Sequence, residues 1–430
     1  MINIPEAIKY NLIYKNGNDI YIYADYTGSG QHSPIIDDYL KKYIYSNYAN
    51  THSNSLWSKM MTTRINNCKK YLRKIFNILN DQSIIFTGQG TTGAINHLVN
   101  SIDFSNQSKI NIIISLYEHH SNFLPWIEKS KLYPNMELYI IPLSKEGDID
   151  YIWYENLLKK LNTNDLTITS ITACSNVSGI IIDIHKIKSI IQNQFQNRSL
   201  LFVDYACSAP YKKIDASIFD ACFISPHKFI GGTSTPGILI AKNSLFTKKC
   251  PYAPGGGCVK VANDIKILYD NNIETREMGG TPNIIGIIRI HLIFVLKQLY
   301  FNIIEKNETF IVNYVHHKLK ILSNKLPNLT VLYLNKSLNH RLPIVCISID
   351  NCHYNTIVEI MSSLFGIQTR GGISCCGLFA RYIKNTMNIN GWCRITFHWL
   401  MTIYEINYIL NAIEYIALNH KSYKNNYGNK

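Results

Sequence analysis

From residue 84 onward the chain repeats one pattern: a short apolar run, a polar or glycine-bearing turn, then apolar positions at helical spacing. Ile84-Ile85-Phe86 leads into Gly88-Gln89-Gly90-Thr91-Thr92-Gly93 and a helix through Leu98. Ile110 to Ser115 ends at Tyr117-Glu118-His119-His120-Ser121-Asn122, Thr167 to Thr172 at Ala173-Cys174-Ser175-Asn176, and Leu200 to Val203 at Asp204-Tyr205-Ala206. Apolar runs without alternation imply strands buried on both faces, as in a parallel sheet covered by helices. In open α/β sheets, ligands bind at the C-terminal strand ends, which is where these runs deliver their polar clusters.

The flanking regions are read in the same way. Ile20 to Ala24 resembles a strand, and Asp25-Tyr26-Thr27-Gly28-Ser29-Gly30 is a polar turn able to reach into a cleft. A helix is expected from Pro34, a long polar loop over 46–58, and a helix from Met60 to Leu79. After the Pro/Gly-rich segments Pro251 to Gly257 and Glu277 to Asn283, a long apolar helix begins near Ile284. Beyond it the pattern predicts a helix over 307–325, a strand over 344–349 and a helix over 354–364. A loop from Arg370 to Leu378, a strand from Cys393 to Phe397 and a helix from Ile403 to Leu418 complete the chain. The expected architecture is α/β: a large domain over 20–283 with a mostly parallel central sheet, and a smaller C-terminal α/β domain over 284–418. Residues 1–19 are expected to pack with the smaller domain, and the polar, basic end 419–430 reads as disordered.

Composition narrows the function classes. A chain of 430 residues accommodates two domains. The net charge of +14 is spread over scattered lysines, not gathered in a basic block, which disfavours nucleic acid as the partner. Eleven cysteines without a CxxC pair point to a reducing, cytoplasmic compartment, and no metal site is assigned. Met1 to Tyr10 lacks a basic segment followed by an apolar run, and the most apolar later stretch, Ile284 to Tyr300, is interrupted by Arg289, His291 and Lys297, so neither a signal peptide nor a membrane span is expected.

The candidate chemistry centres on Ser225-Pro226-His227-Lys228-Phe229-Ile230-Gly231-Gly232. A lysine at the end of a buried strand is desolvated, which lowers its pKa and leaves a neutral amine able to form a Schiff base with an aldehyde. Ser225 and His227 beside it can hold a phosphate. The Gly88 to Gly93 turn presents backbone N–H groups at a helix start, with Thr91 and Thr92 adding hydroxyls. Its wording is neither GxGxxG nor Walker A, which disfavours a dinucleotide or ATP. Asp204, ending a buried strand, needs a cationic partner, and a protonated pyridine nitrogen would serve. His119 can stack on a ring. Pyridoxal phosphate (PLP) asks for a lysine, a carboxylate, a phosphate cradle and a stacking group together. Each residue singly also fits an ordinary structural role; their joint order carries the inference.

These motifs, with Pro125-Trp126, Ser175-Asn176-Val177-Ser178-Gly179, Gly279-Gly280-Thr281-Pro282-Asn283 and Arg370 to Cys376, resemble the class V aminotransferase superfamily of fold-type I PLP enzymes, cysteine desulfurases included. The likeness runs from about Tyr23 to Ile413. It implies that Lys228 carries PLP as a Schiff base, Asp204 pairs with the pyridinium, His119 stacks on the ring and Asn176 contacts the ring hydroxyl. It implies phosphate contacts from Thr91, Thr92, Ser225 and His227, with Thr281 serving the neighbouring subunit of a homodimer. Arg394 resembles the arginine that binds the substrate carboxylate, with Arg370 supporting, a role suited to the planar guanidinium fork.

Arg370-Gly371-Gly372-Ile373-Ser374-Cys375 resembles the desulfurase pattern Arg-x-Gly-x-x-Cys. That likeness implies that Cys375 takes sulfur from cysteine as a persulfide, releases alanine and hands the sulfur to an acceptor protein. Three features depart from it. Cys207 stands where many desulfurases carry histidine or glutamine, Ile373 and Ser374 stand where histidines are common, and the wording is closest to a class V branch whose substrate the match does not imply. An aminotransferase or other lyase that does not use Cys375 therefore stays open, as does a non-catalytic scaffold or nucleic-acid-binding protein that kept the fold. Which of Cys375 and Cys376 faces the cofactor is also open at this level.

Overall fold

A computed structural model describes residues 8, 21–194, 199–334 and 340–423. Its main sheet has seven strands in the order Gln82–Thr87, Gly237–Lys242, Ala221–Ile224, Ser199–Asp204, Leu166–Thr172, Ile110–Ser115, Met136–Ile141. Gly237–Lys242 is antiparallel to both neighbours and the remaining pairings are parallel. Successive side chains enter opposite cores: Ile113, Val203 and Cys222 join one, Ile112, Phe202 and Phe223 the other. The period of two places both faces out of water, which is why these strands read as unbroken apolar runs.

The second sheet is antiparallel, in the order Leu329–Val331, Ile344–Ile349, Trp392–Thr396, Arg370–Gly372. Ile22–Tyr23 pairs in parallel with Ile367–Gln368, and the Thr396 N–H donates to the Ala24 carbonyl at 2.8 Å. This pairing brings the Asp25 to Gly30 turn against the second sheet, beside the C-terminal edge of the first.

Several elements differ from the sequence reading. The apolar helix from Ile284 and the helix over 307–325 are one helix, Ile284–Lys325, because no proline or glycine after Gly286 breaks it. It is long and apolar enough to cross a membrane, yet 56% of its most apolar stretch is buried inside the protein. The 46–58 loop is shorter than expected, since the next helix starts at Leu56 and ends at Ile75. The Arg370 to Leu378 loop resolves into strand Arg370–Gly372, a tight turn and the start of helix Gly377–Met387. The last helix, Ile403–Asn419, continues as a 3₁₀ turn to Tyr423, whose hydroxyl lies 2.7 Å from that of Tyr415, so order extends past the expected start of the tail. Residues 424–430 lie outside the described residues, as do 1–19 apart from Ile8, which is buried and accepts from Ser33 Oγ at 2.6 Å.

Phe294 couples the long helix to the lysine turn. It is fully buried, edge-on to Phe76 at 5.1 Å and to Phe229 at 4.8 Å. Phe294→Ala leaves a cavity between these rings and is expected to destabilise the fold by about 3–5 kcal/mol, read as a clear drop in the thermal midpoint. An unchanged midpoint would show that the surrounding helices do not depend on this contact.

Candidate active site

A cavity of about 470 Å³ opens at the C-terminal edge of the main sheet. Lys228, Asp204, His119, Asn176, Thr91, Thr92, Ser225, His227, Arg370, Arg394 and Cys375 all line it. Thr281 does not: it lies on the surface, where its Oγ1 accepts from Asn50 Nδ2 at 3.2 Å.

Lys228 is delivered by the fully buried strand Ala221–Ile224 and the 3₁₀ turn Pro226–Lys228, whose proline sits at the first position where its missing N–H costs nothing. Burial pushes the ammonium pKa down, while Cys207 and Asp204 act in the opposite sense. Asp204 ends the adjacent strand with its Oδ1 accepting from the Ala206 N–H at 2.8 Å. Its burial raises the carboxyl pKa to about 6 despite that bond and the nearby Lys228. Both groups are thus driven towards their neutral forms.

The phosphate cradle is built where helix Gly90–Ser101 begins. Ser225 Oγ accepts from the Thr91 N–H at 2.9 Å and lies 3.3 Å from Thr91 Oγ1, while Thr92 Oγ1 and Ser121 Oγ are 2.7 Å apart. Gly90 has φ +57°, and a Cβ there would lie 2.7 Å from both His227 Cε1 and Ser225 Oγ. Only glycine allows both that backbone and that approach. Burial and Lys228 lower the His227 pKa to about 4.

His119 caps helix His120–Leu132, its Nδ1 accepting from the Ser121 N–H at 3.1 Å. The proton of the neutral ring therefore sits on Nε2. Burial, reinforced by Lys228, lowers its pKa to about 3, so the ring is neutral at ordinary pH. Asn176 donates from Nδ2 to the Ser374 carbonyl at 2.9 Å, and its buried Oδ1 has no partner among the described residues.

Cys375 and Ser374 adopt φ of +53° and +54°, a left-handed pair that forms the turn between Gly372 and Gly377. Such a pair persists only where its surroundings hold it. The Cys375 carbonyl accepts from the His120 N–H at 2.8 Å, the Gly377 N–H donates to His120 Nε2 at 3.1 Å, and Trp392 Nε1 donates to Ser374 Oγ at 3.0 Å. Cys375 is exposed and faces the cavity. Cys376 is buried, its thiol directed at the Tyr117 and Glu118 carbonyls at 3.3 and 3.4 Å, and burial pushes its pKa up.

Three participants were not singled out for the site from the sequence. Asp25 accepts from Arg394 and Arg370, residues 369 and 345 positions away, a separation that no local pattern encodes. Glu118 is fully buried and ties the Thr172 N–H (2.9 Å) and Asn122 Nδ2 (2.6 Å) to the His119 turn; burial raises its pKa to about 8. Cys207, flagged only as a departure, lines the cavity with Cys174, whose thiol contact lowers the Cys207 pKa against the effect of burial.

The family profile described as Aminotransferase class-V matches residues 22–409. Curated relatives include a probable cysteine desulfurase of Borreliella burgdorferi, 29% identical with 92% of each chain covered, and a cysteine desulfurase of Wigglesworthia glossinidia brevipalpis, 29% identical with 89% of each covered. Among solved structures, the apo cysteine desulfurase of Thermococcus onnurineus NA1 superposes with a TM-score of 0.83 at 22% identity, over 97% of this chain and 99% of that one. The cysteine desulfurase CsdA of Escherichia coli gives 0.74 at 20% identity, over 93% and 94%. The fold is that of fold-type I enzymes, as the sequence resemblance implied.

His120 grips both sides of the cysteine turn, through its N–H and its ring. His120→Ala is expected to raise the alkylation rate of Cys375 by iodoacetamide about fivefold, the factor for one lost hydrogen bond. Peptide mapping of the alkylated protein checks it, and an unaltered rate would count against the clamp.

Proposed function

We propose a cysteine desulfurase activity for this chain, which belongs to the class V aminotransferase family of PLP-dependent enzymes. The observation that carries the reading is the placement of Cys375: exposed on a held turn, in the cavity that also contains Lys228, with Cys376 turned away. The names of the relatives support the same reading.

The residues present fit PLP. The Asn176 Oδ1 that has no partner among the described residues, the room left by the missing Cβ of Gly90 and the buried, cation-seeking Asp204 each answer a separate part of that molecule. In this reading Lys228 is the covalent anchor, Asp204 pairs with the ring nitrogen, His119 stacks on the ring and Asn176 meets its hydroxyl. Thr91, Thr92, Ser225 and His227 hold the phosphate. When bound, PLP supplies an electron sink for the bonds broken next to the amino-bearing carbon of the substrate.

The chain's own residues do the rest. Arg394, supported by Arg370, binds the substrate carboxylate and orients the side chain towards Cys375. The Cys375 thiolate attacks the substrate sulfur, so that an S–S bond forms as the Cβ–S bond breaks. The electron pair released to Cβ takes up a proton, giving the methyl group of alanine and a persulfide on Cys375. Arg370 lines the same cavity as Cys375, five residues before it in the chain. Neutral His119 keeps a proton on Nε2 beside the reacting atoms. The persulfide then passes its outer sulfur to an acceptor protein, and free thiols require a reducing compartment for this step.

A homodimer is part of the proposal. The hairpin Val259–Ala262 and Ile267–Tyr269 exposes Ile265 (89%) and Ile267 (64%), an apolar surface suited to a second copy. Thr281, outside the cavity of its own subunit, would then serve the phosphate of the other.

Two sets of variants test the chemistry. Lys228→Ala should abolish the visible absorbance of the PLP-loaded protein. Cys375→Ser should keep that absorbance and lose sulfide and alanine formation from L-cysteine; alanine formation surviving in Cys375→Ser would sink the desulfurase mechanism and favour a lyase that does not use this thiol. Gly90→Ala should weaken PLP retention about tenfold or more through backbone strain and crowding of Ser225, measured by equilibrium dialysis.

A further inference from the structure

Arg370 and Arg394 are directly opposed partners on neighbouring antiparallel strands. Two like charges in that register repel each other unless an anion joins them. Asp25 is that anion. Its Oδ2 accepts from Arg370 Nε at 2.9 Å and lies 2.9 Å from Nη2, while its Oδ1 accepts from Arg394 Nη2 at 2.8 Å. Asp25 is 8% exposed and Arg394 3%, whereas the Arg370 side chain is half exposed in the cavity.

The contact is built into the fold. The Ala24 carbonyl and Thr27 Oγ1 both bond to Thr396, two residues beyond Arg394 on the same strand. The Gly28 and Ser29 N–H groups close a turn on the Asp25 carbonyl at 2.8 and 3.2 Å. A Cβ on Gly28 would lie 2.6 Å from Asp25 Oδ2 and 2.8 Å from Arg370 Nη2, so the turn packs directly on the ion pair.

We propose that Asp25 sets the substrate's side-chain class: it leaves this corner of the cavity one net positive charge, admitting an amino acid with a single carboxylate and an uncharged or thiol side chain while rejecting dicarboxylic amino acids. This rests on the reading of Lys228, Arg394 and Cys375 given above. The reason lies in where Arg370 stands. It lines the cavity together with Cys375, so it borders the space that the substrate side chain occupies when its sulfur meets that thiol. With Asp25 in place its guanidinium is already paired. Without Asp25 it becomes a free fork for a second carboxylate.

The test uses the full PLP-loaded chain and the change in its visible absorbance on titration with L-alanine and with L-aspartate. Wild type should respond to L-alanine and discriminate against L-aspartate. Asp25→Asn should shift the ratio of apparent affinities towards L-aspartate by about tenfold or more, the scale on which juxtaposed charges separate ligands. Asp25→Glu should stay nearer to wild type. Gly28→Ala, which displaces Asp25 without deleting it, should shift the ratio in the same direction and decides the matter if Asp25→Asn does not fold. A ratio unchanged in the folded variants, or a wild type that binds both amino acids equally, overturns the assignment of Asp25 alone. A wild type that responds to no amino acid overturns the reading of the site as well.

Discussion

Desolvation at the edge of the main sheet is the constraint on which the site depends. Asp204 and Lys228 follow neighbouring parallel strands, one ending in the carboxylate and the other running into the lysine turn. Neither charge is well solvated there. The amine is driven down the pH scale, towards the neutral form that can condense with an aldehyde, and the carboxyl is raised to about 6, so that its buried charge calls for a cationic partner. The same burial that makes the strands apolar creates the chemistry at their ends. A fold with one face of this sheet in water would relax both pKa values and lose it.

The parts of this arrangement that are local in sequence were legible in it. An unbroken run such as Ile110–Ser115 announces a two-sided strand, and the polar residues after it announce a ligand edge. The lysine turn and the glycine turn at Gly90 each carry their own wording. Less visible was Gly237–Lys242, because an antiparallel strand inserted among parallel ones has no pattern that sets it apart. The helix Gly377–Met387 was hidden because its first turn is the glycine-bearing cysteine segment that reads as loop. Asp25 was legible as part of a turn but not as a partner of two arginines, since that relation exists only after the chain start pairs with Ile367–Gln368.

The two ends of the chain therefore meet at the side of the cavity that holds Arg370 and Arg394, whereas its middle supplies the side that holds Lys228 and Asp204. Asp25 joins Arg370 and Arg394 from one direction, and Asn176 and His120 hold the cysteine turn from the other. Asp204 ends a strand of the main sheet, and Lys228, His119 and Thr91 lie in the turns, caps and helix starts that follow its strands. Arg370 and Arg394 are held by the ladder of the second sheet, whereas Cys375 sits on a turn held by hydrogen bonds from His120, Asn176 and Trp392.

Burial also sorts the thiols. Cys68, Cys174, Cys207, Cys222, Cys258, Cys346, Cys376 and Cys393 are enclosed, Cys352 is partly covered, and Cys250 and Cys375 are exposed. Oxidants act on accessible thiols, so the enclosed ones are shielded while Cys375 stands open in the cavity. On the function proposed above, oxidation of Cys375 would stop the reaction without disturbing the enclosed thiols of the core, and reduction of one sulfur atom would restore it.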